Sequence, residues 1–221
     1  MDVSNLVQTV AIYALPVLFA ITLHEAAHGY VARHFGDMTA YAQGRISLNP
    51  ARHIDLVGTI LVPVAILVVS KLAGANGFLF GWAKPVPVNY SALKHPKRDM
   101  MWVAAAGPAS NFVMAIGWAA LYKLGDAIGP GDYATPLKLM SVAGIEVNMV
   151  LMLLNLLPIL PLVGGRIIAG LLPVRMSLQY SRTEPWGFPI LLLLMFSGYL
   201  GVILAPMLRT SFNVIGSVFG F

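Results

Sequence analysis

Between Asp2 and Glu25 the sequence contains no Asp, Glu, Lys or Arg. Crossing the hydrocarbon layer of a bilayer takes about 20 mostly apolar helical residues, so this run is long enough for a membrane helix. Further apolar stretches follow at about Leu56–Leu72, Met100–Leu124, Leu137–Leu160 and Phe188–Phe221, and the first extends from about Leu6 to Phe35. Gly198, Gly201 and Pro206 interrupt the last, which therefore reads as one kinked helix or a hairpin. The expected fold is an all-α polytopic membrane protein with about 5–6 transmembrane helices, forming a single integral membrane domain over residues 1–221.

Composition agrees. Charged residues make up 10% of the chain and apolar residues 58%, whereas soluble domains carry about 25% charged residues. So little charge cannot cover a water-exposed surface, and lipid must solvate much of it. Lys and Arg form no run, which speaks against nucleic acid as a partner; the excess of +5 reports orientation instead. Cysteine is absent, which excludes disulfides, thiolate metal sites and a cysteine nucleophile. The start, Met1-Asp2-Val3-Ser4-Asn5, lacks the basic segment of a secretory signal, so the first apolar stretch reads as a retained helix.

Two segments are not regular helix. Residues 36–54 are polar and read as a loop, with a short strand possible at Arg45-Ile46-Ser47-Leu48. Residues 74–99 contain Pro85 and Pro87, which rule out a regular helix there and favour an extended run.

The chemistry concentrates in His24-Glu25-Ala26-Ala27-His28. On a helix, residues four apart share a face, so both imidazoles can ligate one Zn²⁺. Glu25 adjoins His24 and can act as general base and later proton donor toward a zinc-activated water. Ionisable groups inside an apolar helix are costly, each by about 2–3 kcal/mol when unpaired at mid-bilayer, which favours function over a hydrated helix end.

With these residues in view, the chain resembles the site-two protease family of intramembrane zinc metalloproteases, in its short bacterial-type form. His24–Tyr30 is similar to the zinc motif, and Gly36–Ala40 with Leu48-Asn49-Pro50 and His53-Ile54-Asp55 to the segment after it. Gly81–Asn89 looks like the family's extended element, Ala106–Asn111 like its third signature, and Asn155–Arg166 like its last. The resemblance implies zinc held by His24 and His28, catalysis by Glu25, and Asn155 near the metal, holding the scissile carbonyl oxygen. It further implies transmembrane protein substrates and a multi-pass location in the bacterial inner membrane.

The sequence departs from the family pattern at one position. The family's Leu-Asp-Gly places its third zinc ligand where this chain has Val163, and an isopropyl group binds no metal. Catalytic zinc normally has three protein ligands and a water. Impaired hydrolysis is one expectation, and a homologue that binds membrane segments without cutting them is the alternative. His53, Asp55 and Glu146 are the few other groups that could substitute. A transporter using the intramembrane His and Glu ranks last, because no paired repeats are visible.

The metal helix and the Val163 turn must meet at one depth. If residues 74–93 recross the membrane in extended form, they do, and twenty extended residues reach roughly 66 Å. Arg33, Arg45 and Arg52, Lys94, Lys97 and Arg98, and Arg166, Arg175 and Arg182 then share one face, with the neutral 123–138 loop on the other. Residues 78–90 would line the cleft and offer an edge to an unwound substrate, with Lys84 facing water. Gly107, Pro108 and Gly117 read as helix packing without chemistry, and Asn148 likewise.

Overall fold

The structure is a computed structural model and describes residues 3–62, 65, 81 and 83–221. Every regular element in the described residues is helical, and no strand forms among them. The fold is an all-α polytopic membrane fold, and among the described residues four helices are long and apolar enough to cross a bilayer. They are α1 (Val3–His34), α3 (Pro96–Ile128), α4 (Ala134–Asn155) and α8 (Tyr199–Phe219). Shorter helices connect them: α2 (Thr39–Ala42), α5 (Val163–Leu171), α6 (Val174–Ser181) and α7 (Glu184–Phe196). The expected second apolar helix begins as a π-helical turn at Leu56–Leu61, and most of it lies outside the described residues. Asp55 caps this turn, accepting the Gly58 amide hydrogen at 2.6 Å.

The centre of the bundle is α1, α3 and α4. Helix α3 buries Ala104, Gly107, Pro108, Asn111, Ala115 and Trp118, a three-to-four-residue spacing that makes one continuous stripe. Its small residues let neighbouring backbones come close, the usual device where apolar lipid supplies no drive for helix association. Gly144 of α4 shows how close: a Cβ there would lie 2.2 Å from the Trp118 ring. Ala115, Trp118 and Ala119 pack with Ile145, Met149 and Ile215, which brings α8 against α3 and α4. Many large apolar side chains, such as Val7, Val113 and Val202, remain outward, where lipid meets them.

The last apolar region resolves into two helices. Gly198, in the left-handed region at φ +79°, separates α7 from α8. A side chain is strained in that conformation, so the chain turns there, while Pro206 lies inside α8.

The ends of three helices gather at one face. Lys94 donates its amide hydrogen to Phe35 O at 3.0 Å, so the chain leaves α1 and enters α3 at one place. The Lys97 ammonium donates to Leu172 O, just beyond α5. At the opposite end Lys138 pairs with Asp126 at 2.5 Å, joining α3 to α4.

The strand expected at Arg45–Leu48 does not form. No backbone ladder ties it to the proline run; instead the Arg45 guanidinium donates to Lys84 O at 2.9 Å and Pro85 O at 3.2 Å. Proline at 85 and 87 supplies no amide hydrogen, which works against a regular ladder. Ile46 and Val86 both close over Gly29 of α1, where a Cβ would lie 2.9 Å from Ile46 Cγ1. Residues 83–89 form neither helix nor strand; Asn89 is extended, and its amide donates to Asp37 Oδ2 at 2.7 Å.

Candidate metal centre

Helix α1 carries His24 and His28 one turn apart, and their rings meet edge to face with centroids 4.8 Å apart. Their Nε2 atoms are 3.2 Å apart. The other nitrogen of each ring faces an acceptor. His28 Nδ1 donates to Val103 O at 2.7 Å, and His24 Nδ1 donates to Asn111 Oδ1 at 2.5 Å. With hydrogen on both Nδ1 atoms, the neutral rings turn two bare lone pairs toward each other. Such a pair is unfavourable unless a cation lies between. Two nitrogens each about 2.0–2.1 Å from a tetrahedral zinc would be separated by about 3.3 Å, close to the observed spacing.

Helix α3 comes close to the pair at a glycine. A Cβ on Gly107 would lie 2.5 Å from His28 Nε2 and 2.6 Å from His24 Nε2. The close helix approach expected at Gly107 is what the structure shows, and the groups that approach it are the two imidazoles.

Glu25 sits beside them, with Oε2 accepting the Val86 amide hydrogen at 2.8 Å. The proline run therefore touches the motif helix at the carboxylate. A cavity of about 700 Å³ is lined by His24, Glu25, Gly81, Ala83, Asn155 and Leu162, among others. The sequence-derived residues His24, Glu25 and Asn155 thus share one chamber, and His28 stands behind His24. One Asn155 N–H donates to Leu151 O at 2.9 Å. Of the run expected to line the cleft, Gly81 and Ala83 do so, residues 78–80 and 82 lie outside the described residues, and the Lys84 side chain is exposed.

Among the described residues no carboxylate completes the ligand set: no three His, Cys, Asp or Glu there converge as a metal-binding group. Val163 opens α5 and is buried, directly after Leu162 in the cavity wall. The loop before it is clasped tightly: a Cβ on Gly164 would strike Leu156 O at 2.2 Å, and one on Gly187 would strike Leu160 O at 1.3 Å. Glu146 and Asp55 are engaged elsewhere: Glu146 accepts the Tyr13 hydroxyl hydrogen at 2.8 Å, and Asp55 caps its turn. His53 Nε2 donates to Ser47 O at 2.9 Å, its buried Nδ1 has no partner among the described residues, and it joins no metal-binding group there.

Asn148 bonds a neighbouring helix, as the packing reading expects: its Oδ1 accepts from Asn111 Nδ2 at 2.9 Å, which also places it one link from His24. The signal that could have found it is the price in lipid of a buried amide: Asn111 and Asn148 are both fully buried in apolar helices, and such groups require partners.

No family model matches the chain, and no solved structure matches it. Among curated proteins, it is 38% identical over 208 residues to YwhC of Bacillus subtilis (strain 168), named as a candidate zinc metalloprotease, covering 93% of this chain and 89% of that protein. It is 24% identical over 180 residues to Rip2 of Mycolicibacterium smegmatis (strain ATCC 700084 / mc(2)155), which carries the same kind of name, covering 81% of this chain and 64% of that protein.

Proposed function

The chain belongs to the site-two protease family of zinc metalloproteases, and from that premise we propose that it is an intramembrane protease fold whose hydrolysis is limited at Val163. Zinc is the expected cofactor. The observation that carries the reading is the pair of Nε2 atoms 3.2 Å apart, bared toward each other against Gly107. A proton shared between the rings would satisfy the same spacing; the family supports the metal.

His24 and His28 would hold the ion. A zinc ion there supplies Lewis acidity, which activates water near neutral pH and polarises a peptide carbonyl. Glu25, fixed through one oxygen by Val86, uses its carboxylate to take a proton from water and return it to the leaving amine. The Asn155 amide, on the chamber wall, has a further N–H to offer the scissile carbonyl oxygen. The run at residues 83–89 would orient an unwound substrate segment.

The substrates in this reading are transmembrane segments of other membrane proteins. The chain would act as one multi-pass domain of a bacterial inner membrane, with the basic face cytoplasmic. Val163 favours a second reading, a homologue that grips membrane segments without cutting them. Zinc stoichiometry and cleavage of a model membrane peptide distinguish the two. Slow cleavage that rises in Val163→Asp supports the protease. A protein that binds the peptide, never cuts it and gains nothing from Val163→Asp is the binder.

A further inference from the structure

Behind His24 a line of amides crosses three helices. Asn148 Nδ2 donates to Gly144 O at 2.8 Å within α4. Asn148 Oδ1 accepts from Asn111 Nδ2 at 2.9 Å, and the same Nδ2 donates to Ala20 O of α1 at 3.3 Å. Asn111 Oδ1 is left for His24 Nδ1 at 2.5 Å. Both asparagines are fully buried.

The direction of this line is forced. The carbonyls of Gly144 and Ala20 can only accept. Asn148 must therefore turn its NH₂ to Gly144, which leaves its oxygen for Asn111. Asn111 must turn its NH₂ to Asn148 and Ala20, which leaves its oxygen for His24. Reversing either amide would set donor against donor or acceptor against acceptor. His24 can meet the Asn111 oxygen only with hydrogen on Nδ1, and its Nε2 is then a lone pair.

The geometry points to Asn111 and Asn148 as positioning residues that fix which nitrogen of His24 carries the hydrogen, and so present Nε2 to a divalent cation. Trp118 and Gly144 set the register. Trp118 lies two turns along α3 from Asn111, and its ring rests on Gly144, the residue whose carbonyl anchors the line. The inference rests on reading the His24–His28 pair as the metal seat. Partners of this kind, beyond the ligands themselves, change metal affinity by about 10–100-fold.

The test uses the full chain in detergent, labelled with ¹⁵N at histidine, with Co²⁺ as the spectroscopic probe of the metal site. Imidazole nitrogen shifts of metal-free protein should show His24 wholly in the form with hydrogen on Nδ1, assigned by loss of its signals in His24→Gln. Asn111→Leu should mix the two forms and weaken Co²⁺ binding about 10–100-fold. Asn148→Leu should do the same to a smaller degree, because Ala20 O still holds the Asn111 amide. The double variant should be no weaker than Asn111→Leu alone, since Asn148 acts through Asn111.

Unchanged His24 shifts in Asn111→Leu would overturn the proposal, and so would additive losses in the double variant. If Asn111→Leu does not fold, the shifts of Asn148→Leu decide in the same way. If the unaltered chain binds no Co²⁺, the metal reading falls, and the metal-free shifts still judge the line of amides.

Discussion

Glu25 is fixed by Val86: the backbone amide of a residue in the proline run donates to Oε2 at 2.8 Å. The carboxylate beside the two imidazoles is thus oriented by a segment far along the chain, and that segment cannot shift without releasing it. Glutamine can accept the same hydrogen bond but cannot carry the proton. In a Val163→Asp background, Glu25→Gln is therefore expected to leave zinc content unchanged and slow peptide cleavage about 10²–10⁴-fold. Loss of zinc along with activity would show that Glu25 holds the site together instead of performing the chemistry.

Val163→Asp should raise zinc affinity at least about tenfold, or about 1.4 kcal/mol. Val163 is buried at the start of α5 beside the cavity wall, so a carboxylate there gains most when a cation neutralises it. Zinc competition titrations of both forms measure this. Equal affinities would mean that the α5 terminus does not reach the ion.

Gly107→Ala places a methyl group against both Nε2 atoms and should abolish stoichiometric zinc binding. Gly117 on the same helix has nothing within 4 Å of a built Cβ, so Gly117→Ala should keep the metal. It should also leave stability equal or higher by up to about 1 kcal/mol. Metal analysis of the two variants together separates a local block from general damage to α3.

The Asp37 carboxylate predicts an acid-sensitive link between the α1 exit and the proline run. Burial alone would raise its pKa, but hydrogen bonds from Thr39 and from the Asn89 amide outweigh burial and hold it below the ordinary aspartate value. A depressed carboxylate contributes its stability above the unfolded-state pKa and loses it as pH falls through the lower, folded-state value. Asp37→Ala should therefore cost on the order of 1 kcal/mol near neutral pH, with the difference from the parent shrinking below about pH 4. Thermal unfolding in detergent across that range checks it; a pH-independent difference would assign the loss to packing.

The sequence shows some of this directly and hides the rest for a definable reason. His24 and His28 can be read because their geometry depends only on the turn of one helix, and the non-helical run because Pro85 and Pro87 exclude a regular helix. The pairing of His24 with Asn111, and of Asn111 with Asn148, depends on how three helices are rotated about their axes. Apolar residues on every side of a membrane helix leave that rotation unmarked. The division of residues 184–219 was similarly undetermined by three candidate breakers, Gly198, Gly201 and Pro206. The chain turns at the one with a positive φ and carries the proline within a helix.

Helix α7 has thirteen residues and rises about 20 Å, while the acyl layer of a bilayer is about 30 Å thick. Phe188 and Leu191 of this short helix form part of the chamber wall; where lipid covers such a flank, the tails bend inward at a fraction of a kcal/mol for each ångström of shortfall. Membrane thickness thereby becomes a variable of the chamber itself. Short-tailed lipids fit this flank at little elastic cost, long-tailed ones are bent against it, and a rate indifferent to tail length in reconstituted vesicles would show that the flank is shielded.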